Sequence, residues 1–240
     1  MSRSERGIPP HLVAQIKSDF SDIARLPRTR FLAFGVDSHV FLINPVGQQP
    51  IVYKLYDRSP LTREHIQRYA DLTNSLQRSL VESPFIDQVI LGGEAWKITF
   101  SVNPVLNLGE TSEKIPFTRS PFVEGDTFEH IAAEVRRKLD NGMEAYVSEP
   151  NVHIISTREN RKTVPFPKSH VHELFDQTYW ISSGNRTEKK FDEYMNRVLQ
   201  TQDLNVQPLN IKPRIDLDSK SVQFVITDIE GTISALFGGK

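Results

Sequence analysis

The chain has 240 residues, with 38% hydrophobic and 25% charged side chains, 29 of them basic and 30 acidic. That length suits one large domain or two small lobes, and the composition is that of a globular protein, neither disordered nor membrane-spanning. The near balance of charge leaves no global footprint for nucleic acid, and the absence of cysteine excludes disulfides, a thiol nucleophile and cysteine-ligated metal sites.

Residues 1–10 are polar and end on two prolines, and no stretch approaches the roughly 18 apolar residues of a membrane helix. The expectation is a cytoplasmic protein with no membrane partner. Leu12, Val13, Ile16, Phe20, Ile23 and Leu26 then recur at helical spacing, so residues 1–29 read as a helical segment. From Arg30 the pattern changes to short aromatic and β-branched runs at 31–35, 40–43 and 51–56, separated by Gly, Asp and Asn-Pro signals, which predicts an antiparallel meander. A helix follows over 61–80 with Ile66, Tyr69, Ala70, Thr73 and Leu76 on one face, and further strands are predicted at 85–91, 96–102 and 115–118.

At Pro121-Phe122-Val123-Glu124-Gly125 the strand-rich part stops, dividing an N-lobe of 30–121 from a remainder of 122–240. Helices are predicted at 127–139, 171–179 and 188–199, and 141–163 reads as an irregular polar segment whose basic run at 158–162 is a solvated loop. Strands at 209–215 and 222–227 are joined by the polar turn 216–221 and read as a hairpin. His170 and His172 lack a nearby third ligand and read as a surface pair, while Trp96 and Trp180 read as core.

Lys54, in Ile51-Val-Tyr-Lys-Leu-Tyr56, is the most informative residue, because a charge inside an apolar strand needs a partner or a solvent path. Upstream, Gly35 and Ser38 sit in a turn between two strands, where backbone N–H groups can lie over phosphates. In Phe224-Val-Ile-Thr-Asp228, alternation puts Phe224, Ile226 and Asp228 on one face, so a carboxylate emerges from the edge of a core, where a Mg²⁺ ligand for a nucleotide is held. Asn210 supplies a second oxygen ligand if the two strands form a hairpin.

Taken in order, the glycine turn, strand lysine, helix, hinge, asparagine and aspartate resemble the protein-kinase-like fold, and Phe122-Val-Glu-Gly125 looks like the hinge of small bacterial kinases and aminoglycoside-phosphotransferase relatives. The resemblance implies an α+β, two-lobed architecture with an antiparallel N-lobe sheet and a reduced, mainly helical C-lobe. It implies that Gly35 and Ser38 cover phosphates, that Phe122 and Val123 receive adenine through their backbone, and that Lys54 binds the α- and β-phosphates of ATP. Asn210 and Asp228 would hold Mg²⁺. Glu64 would pair with Lys54, with Asp71 as the alternative.

The departures bear on activity. The spacing H-R-D-x-x-x-x-N puts the catalytic base five residues before the asparagine, and here that residue is Asn205, whose amide is no base; Asp203 substitutes only if the loop is longer. Few residues follow Asp228, so a peptide-substrate platform is not expected. Val225-Ile-Thr-Asp-Ile-Glu-Gly-Thr232 also resembles the first motif of haloacid-dehalogenase-like phosphatases, with Asp228 as nucleophile. Two functions therefore stand: an ATP-dependent phosphotransferase acting on a small molecule, or a pseudokinase that binds nucleotide or a partner protein without turnover. Neither involves nucleic acid.

Overall fold

The computed structural model of the protein describes residues 29–34, 37–44, 47, 49–58, 61–91, 93–111, 114–128, 130, 131, 133, 137, 141, 153–156, 186–199 and 208–229. The helices expected around 12–26 and 171–179, the basic run at 158–162, the His170 and His172 pair and Trp180 lie outside these residues.

The chain divides into two compact units, one formed by residues up to Asn74 with Pro104–Phe122, the other by Ser75–Asn103 with Val123 onward. The first unit carries a five-stranded sheet in which β1 (Thr29–Phe34), β2 (His39–Ile43) and β3 (Ile51–Leu55) form the expected meander. β7 (Pro116–Pro121) pairs with β3, and β6 (Asn107–Glu110), which the sequence did not signal, pairs with β7. All of these pairings are antiparallel, in the order β1-β2-β3-β7-β6. Alternation sends Ile51, Tyr53 and Leu55 to one face, where Phe41, Ile43 and Phe117 complete a core with them. Lys54 therefore belongs to the opposite face, between Val40 on β2 and Thr118 on β7.

Helix α1 (Arg63–Glu82) opens on a reciprocal cap. The Thr62 hydroxyl accepts from the His65 N–H at 3.3 Å while the Thr62 N–H donates to His65 Nδ1 at 3.2 Å, which is the capping-box arrangement with histidine in the glutamate position. Its predicted stripe, Ile66, Tyr69, Ala70, Thr73 and Leu76, is buried throughout, as the 3.6-residue period requires. Within the first unit, the Asn74 side chain closes a two-bond clamp on Val105, donating to its carbonyl at 2.9 Å and accepting its N–H at 3.0 Å.

The second unit is built on a mixed sheet in the order β4-β5-β10-β9-β8. β4 (Ile86–Leu91) and β5 (Glu94–Val102) form an antiparallel hairpin whose turn needs Gly93 at φ +80°, a conformation open to glycine at no steric cost. β9 (Ile211–Asp216) and β10 (Ser221–Ile226) form the hairpin expected from the sequence. β5 and β10 run parallel, as do β8 (His153–Ser156) and β9. Residues 86–102 thus do not extend the meander, contrary to the expectation of one sheet from 31 to 118. β8 likewise interrupts a segment expected to be irregular.

Trp96, Ile98, Phe100 and Val102 alternate into the core beside Val222, Phe224 and Ile226. Helix α2 (Arg186–Leu199) covers them with Phe191, Tyr194 and Met195, which lie three and four residues apart on one helix face. Phe100 stacks on Phe191 at 3.7 Å between ring centroids and meets Phe85 and Phe224 at 5.4 and 5.3 Å. Phe128, in the helical stretch expected after the lobe boundary, meets Phe224 edge-on at 5.3 Å.

Candidate functional site

Lys54 lies in the third strand, where the resemblance requires its lysine. It is half-buried, and its ammonium sits 5.8 Å from the ring centroids of both Tyr56 and Tyr69. Tyr56 follows at i+2 on the same sheet face, and Tyr69 comes from α1, so α1 lies over Lys54's face of the sheet.

The two acids expected to pair with Lys54 have partners on α1 itself. The Glu64 carboxylate takes Arg68 at 2.6 Å, and Asp71 accepts from Gln67 at 3.0 Å, each one helical turn away on the exposed side. The reason is angular. At about 100° per residue, Glu64 and Asp71 stand about 140° and 160° around the helix from Tyr69, the residue that faces the sheet.

Directly before β2, Ser38 is fully buried and its hydroxyl has no hydrogen-bond partner among the described residues. Next to it, His39 Nδ1 meets both carboxylate oxygens of Asp57 at 2.6 and 2.7 Å, and the Arg58 N–H donates to the Asp37 carbonyl at 3.3 Å. These bonds tie the chain entering β2 to the chain leaving β3, and so hold Ser38 in place. Nothing in the sequence pattern had singled out His39 or Asp57. Gly35 lies outside the described residues.

In the second unit, the strand ends gather the polar groups. Asn210 closes a single 3₁₀ turn (Pro208–Asn210) directly before β9, and Ile211 pairs with Ile226 at the end of β10. The Asn210 carbonyl accepts from both the Thr227 N–H at 2.7 Å and the Thr227 hydroxyl at 2.9 Å. Asp228, half-buried, follows at once. The Asn103 N–H donates to the Ile226 carbonyl at 2.8 Å and brings the end of β5 to the same place. Asn210 and Asp228 therefore share one end of the hairpin. Asp203 and Asn205 lie outside the described residues, as do Glu230 and Gly231.

Lys212, which sequence reasoning passed over, stands two residues beyond Asn210 and donates to the Val123 carbonyl at 2.7 Å. The Phe122 N–H donates to the Pro50 carbonyl at 3.0 Å. Two of the backbone groups that the resemblance assigns to adenine thus hold internal hydrogen bonds.

A Mg²⁺ ion takes one or two carboxylates, completes its shell with water and substrate phosphates, and needs no all-protein cage. One carboxylate and one amide at a strand end fit that requirement. No cluster of three or more His, Cys, Asp or Glu suited to a metal occurs among the described residues. β10 is the middle strand of its sheet, as the phosphatase motif demands, but it runs antiparallel to β9 and the sheet is mixed rather than parallel. Among the described residues no helix is long and apolar enough to cross a membrane.

No family model matches the chain, and no curated protein matches its sequence. Among solved structures, the chain is similar to a double mutant of the PknI kinase domain of Mycobacterium tuberculosis, at 15% identity and a TM-score of 0.39, over 83% of this chain and 58% of that domain. It is also similar to aminoglycoside 2'-phosphotransferase-IIIa in its GDP complex, at 17% identity and 0.32 over 55% and 38% of the two chains. Aminoglycoside phosphotransferase APH(4)-Ia matches at 17% and 0.31 over 53% and 36%. The chain spans less than three-fifths of the length of the kinase domain it matches. The α+β architecture is common to the expectation and the structure.

Proposed function

We propose that the protein is kinase-like and binds a magnesium-bound nucleotide, ATP in the first instance, with Asn210 and Asp228 holding the metal and Lys54 taking phosphate oxygens. The observation that carries this reading is the double hydrogen bond from Thr227 to the Asn210 carbonyl. It ties the chain at residue 210 to the chain at residue 227, next to Asp228, and this supports the reading. When bound, the metal would neutralise charge on the phosphates.

Asn210 supplies a neutral oxygen there and Asp228 an anionic one. Lys54 contributes a half-buried cation on β3, and the buried Ser38 hydroxyl lies in the turn assigned to the phosphates. Phosphoryl transfer depends chiefly on positioning and charge stabilisation, so an acceptor hydroxyl on a small molecule is the substrate class for turnover. A non-catalytic binding role is the second reading, favoured by the amide of Asn205 at the position of the base.

Calorimetric titration of ATP with and without Mg²⁺ tests the assignment. Asp228→Ala should abolish the magnesium-dependent part of binding, with the thermal transition measured alongside to show that the variant is folded. Unchanged affinity in that variant would remove the metal role. Appearance of ADP with a small hydroxylic acceptor would decide for turnover over binding alone.

A further inference from the structure

In the kinase pattern a loop with three glycines, between the first two strands, folds over the phosphates. Between β1 and β2 this chain has one glycine, followed by Val36-Asp-Ser38. Such a turn has little freedom to close on a ligand, so its shape has to be held beforehand, because whatever is left loose must be ordered when the ligand binds. Two residues outside the turn do the holding. His39 opens β2 opposite Leu55, and Asp57 lies two residues beyond Leu55. The period of two sends His39 and Leu55 to one face, and the Asp57 carboxylate meets the imidazole there. Its oxygens lie 2.6 and 2.7 Å from Nδ1, and since an ionised carboxylate can only accept, the ring proton is on Nδ1. The two side chains are 14% and 13% exposed, so water competes weakly for this contact, and the His39 ring stacks on Phe41 at 6.4 Å between centroids, which fixes its plane. On the other side of Ser38, the Arg58 N–H donates to the Asp37 carbonyl at 3.3 Å. Ser38 is thus held through both of its neighbours by two consecutive residues of the chain leaving β3.

We infer that His39 and Asp57 are positioning residues for the phosphate turn. Their largely buried imidazole–carboxylate clasp holds Asp37 and Ser38 in the shape that receives phosphate oxygens, where a kinase uses a glycine-rich loop. The inference rests on the nucleotide reading above and deepens it. The clasp acts through the turn and not on the ligand, and it strengthens binding by lowering the ordering cost that the ligand meets.

Calorimetry with Mg·ATP and hydrogen exchange on the full chain test the clasp. Asp57→Ala should lose roughly 5- to 30-fold in affinity, which corresponds to ordering about one residue on binding. Asp57→Asn, whose side-chain oxygen still accepts from Nδ1, should bind within about threefold of wild type. His39→Ala should match Asp57→Ala, and the double variant should lose no more than either single one, as for two halves of one contact. Without ligand, a peptide spanning Asp37-Ser38 should exchange faster in Asp57→Ala, while peptides from β7 and α1 keep their rates. Faster exchange spread equally over β7 and α1 would show a merely structural effect and overturn the positioning role, as would additive losses in the double variant. Wild-type protein that fails to bind Mg·ATP would overturn the nucleotide reading itself. Wild-type binding with Asp57→Ala unaffected would overturn the clasp alone.

Discussion

Lys212 offers the sharpest test of how the 122–125 segment is held. Its ammonium donates to the Val123 carbonyl at 2.7 Å, a charge-assisted distance. Lys212→Met keeps most of the stem and removes only the charged donor. A hydrogen bond to a charged group contributes about 1.5–3 kcal/mol. Because Lys212 is half-buried, water can reach the orphaned carbonyl, so the lower end, about 1.5 kcal/mol, is expected. At roughly 2–4 °C per kcal/mol for a chain of this size, the melting temperature should fall by about 3–6 °C. Hydrogen exchange read by mass spectrometry should show faster exchange in a peptide covering 122–125, with the β2–β3 peptides unchanged. A melting shift under about 1 °C together with unaltered exchange in that peptide would mean the bond does not hold the segment.

Gly109 faces Phe117 across the β6–β7 pair, and a Cβ there would fall inside the buried ring. Gly109→Ala should therefore destabilise the first unit by roughly 1–3 kcal/mol, measurable by urea denaturation, and wild-type stability would show that Phe117 repacks freely. Burial pushes the Tyr194 phenol above its ordinary value of 10.0, against the smaller opposing effects of the Arg197 charge and a hydrogen bond with the Ser83 side chain. The folded protein holds that proton more tightly than the unfolded chain, so the associated stability is complete below pH 10 and is lost as pH rises through the folded pKa. Absorbance titration at alkaline pH should show a late-ionising component that is reduced in Tyr194→Phe; an unchanged curve would contradict the assignment.

Periodicity made α1 legible down to the five residues of its buried stripe, because one helix face needs no knowledge of the rest of the chain. It made β2, β3, β5 and β10 legible as strands for the same reason. Strand partners were another matter: alternation shows that β5 has one buried face but not that β10 lies beside it. β6, with the sequence Asn-Leu-Gly-Glu, is too short and polar to signal a strand, and it exists because β7 offers it an edge. Lys54 was found because a charge inside an apolar strand is costly. The same cost applies to Lys212 between Ile211 and Pro213, whose charge is met by the Val123 carbonyl. The aromatic neighbours of Lys54 were visible only as core residues, since a tyrosine on an apolar helix face carries no sign of the cation it meets.

The parallel pairing of β5 with β10 also governs how the protein is made. Val102 pairs with Ile226, and the whole of the first unit's last two strands is synthesised between them. At about 5–20 residues per second, β5 waits on the order of ten seconds for its neighbour to leave the ribosome. Throughout that interval the β4–β5 hairpin carries an unpaired edge and the side chains of Trp96, Ile98, Phe100 and Val102 without their cover. Chains that stall or are cut before β9 should accumulate as aggregates rather than as soluble fragments. Full-length protein should gain soluble yield from slower growth or from a holdase that shields the hairpin until the second one arrives.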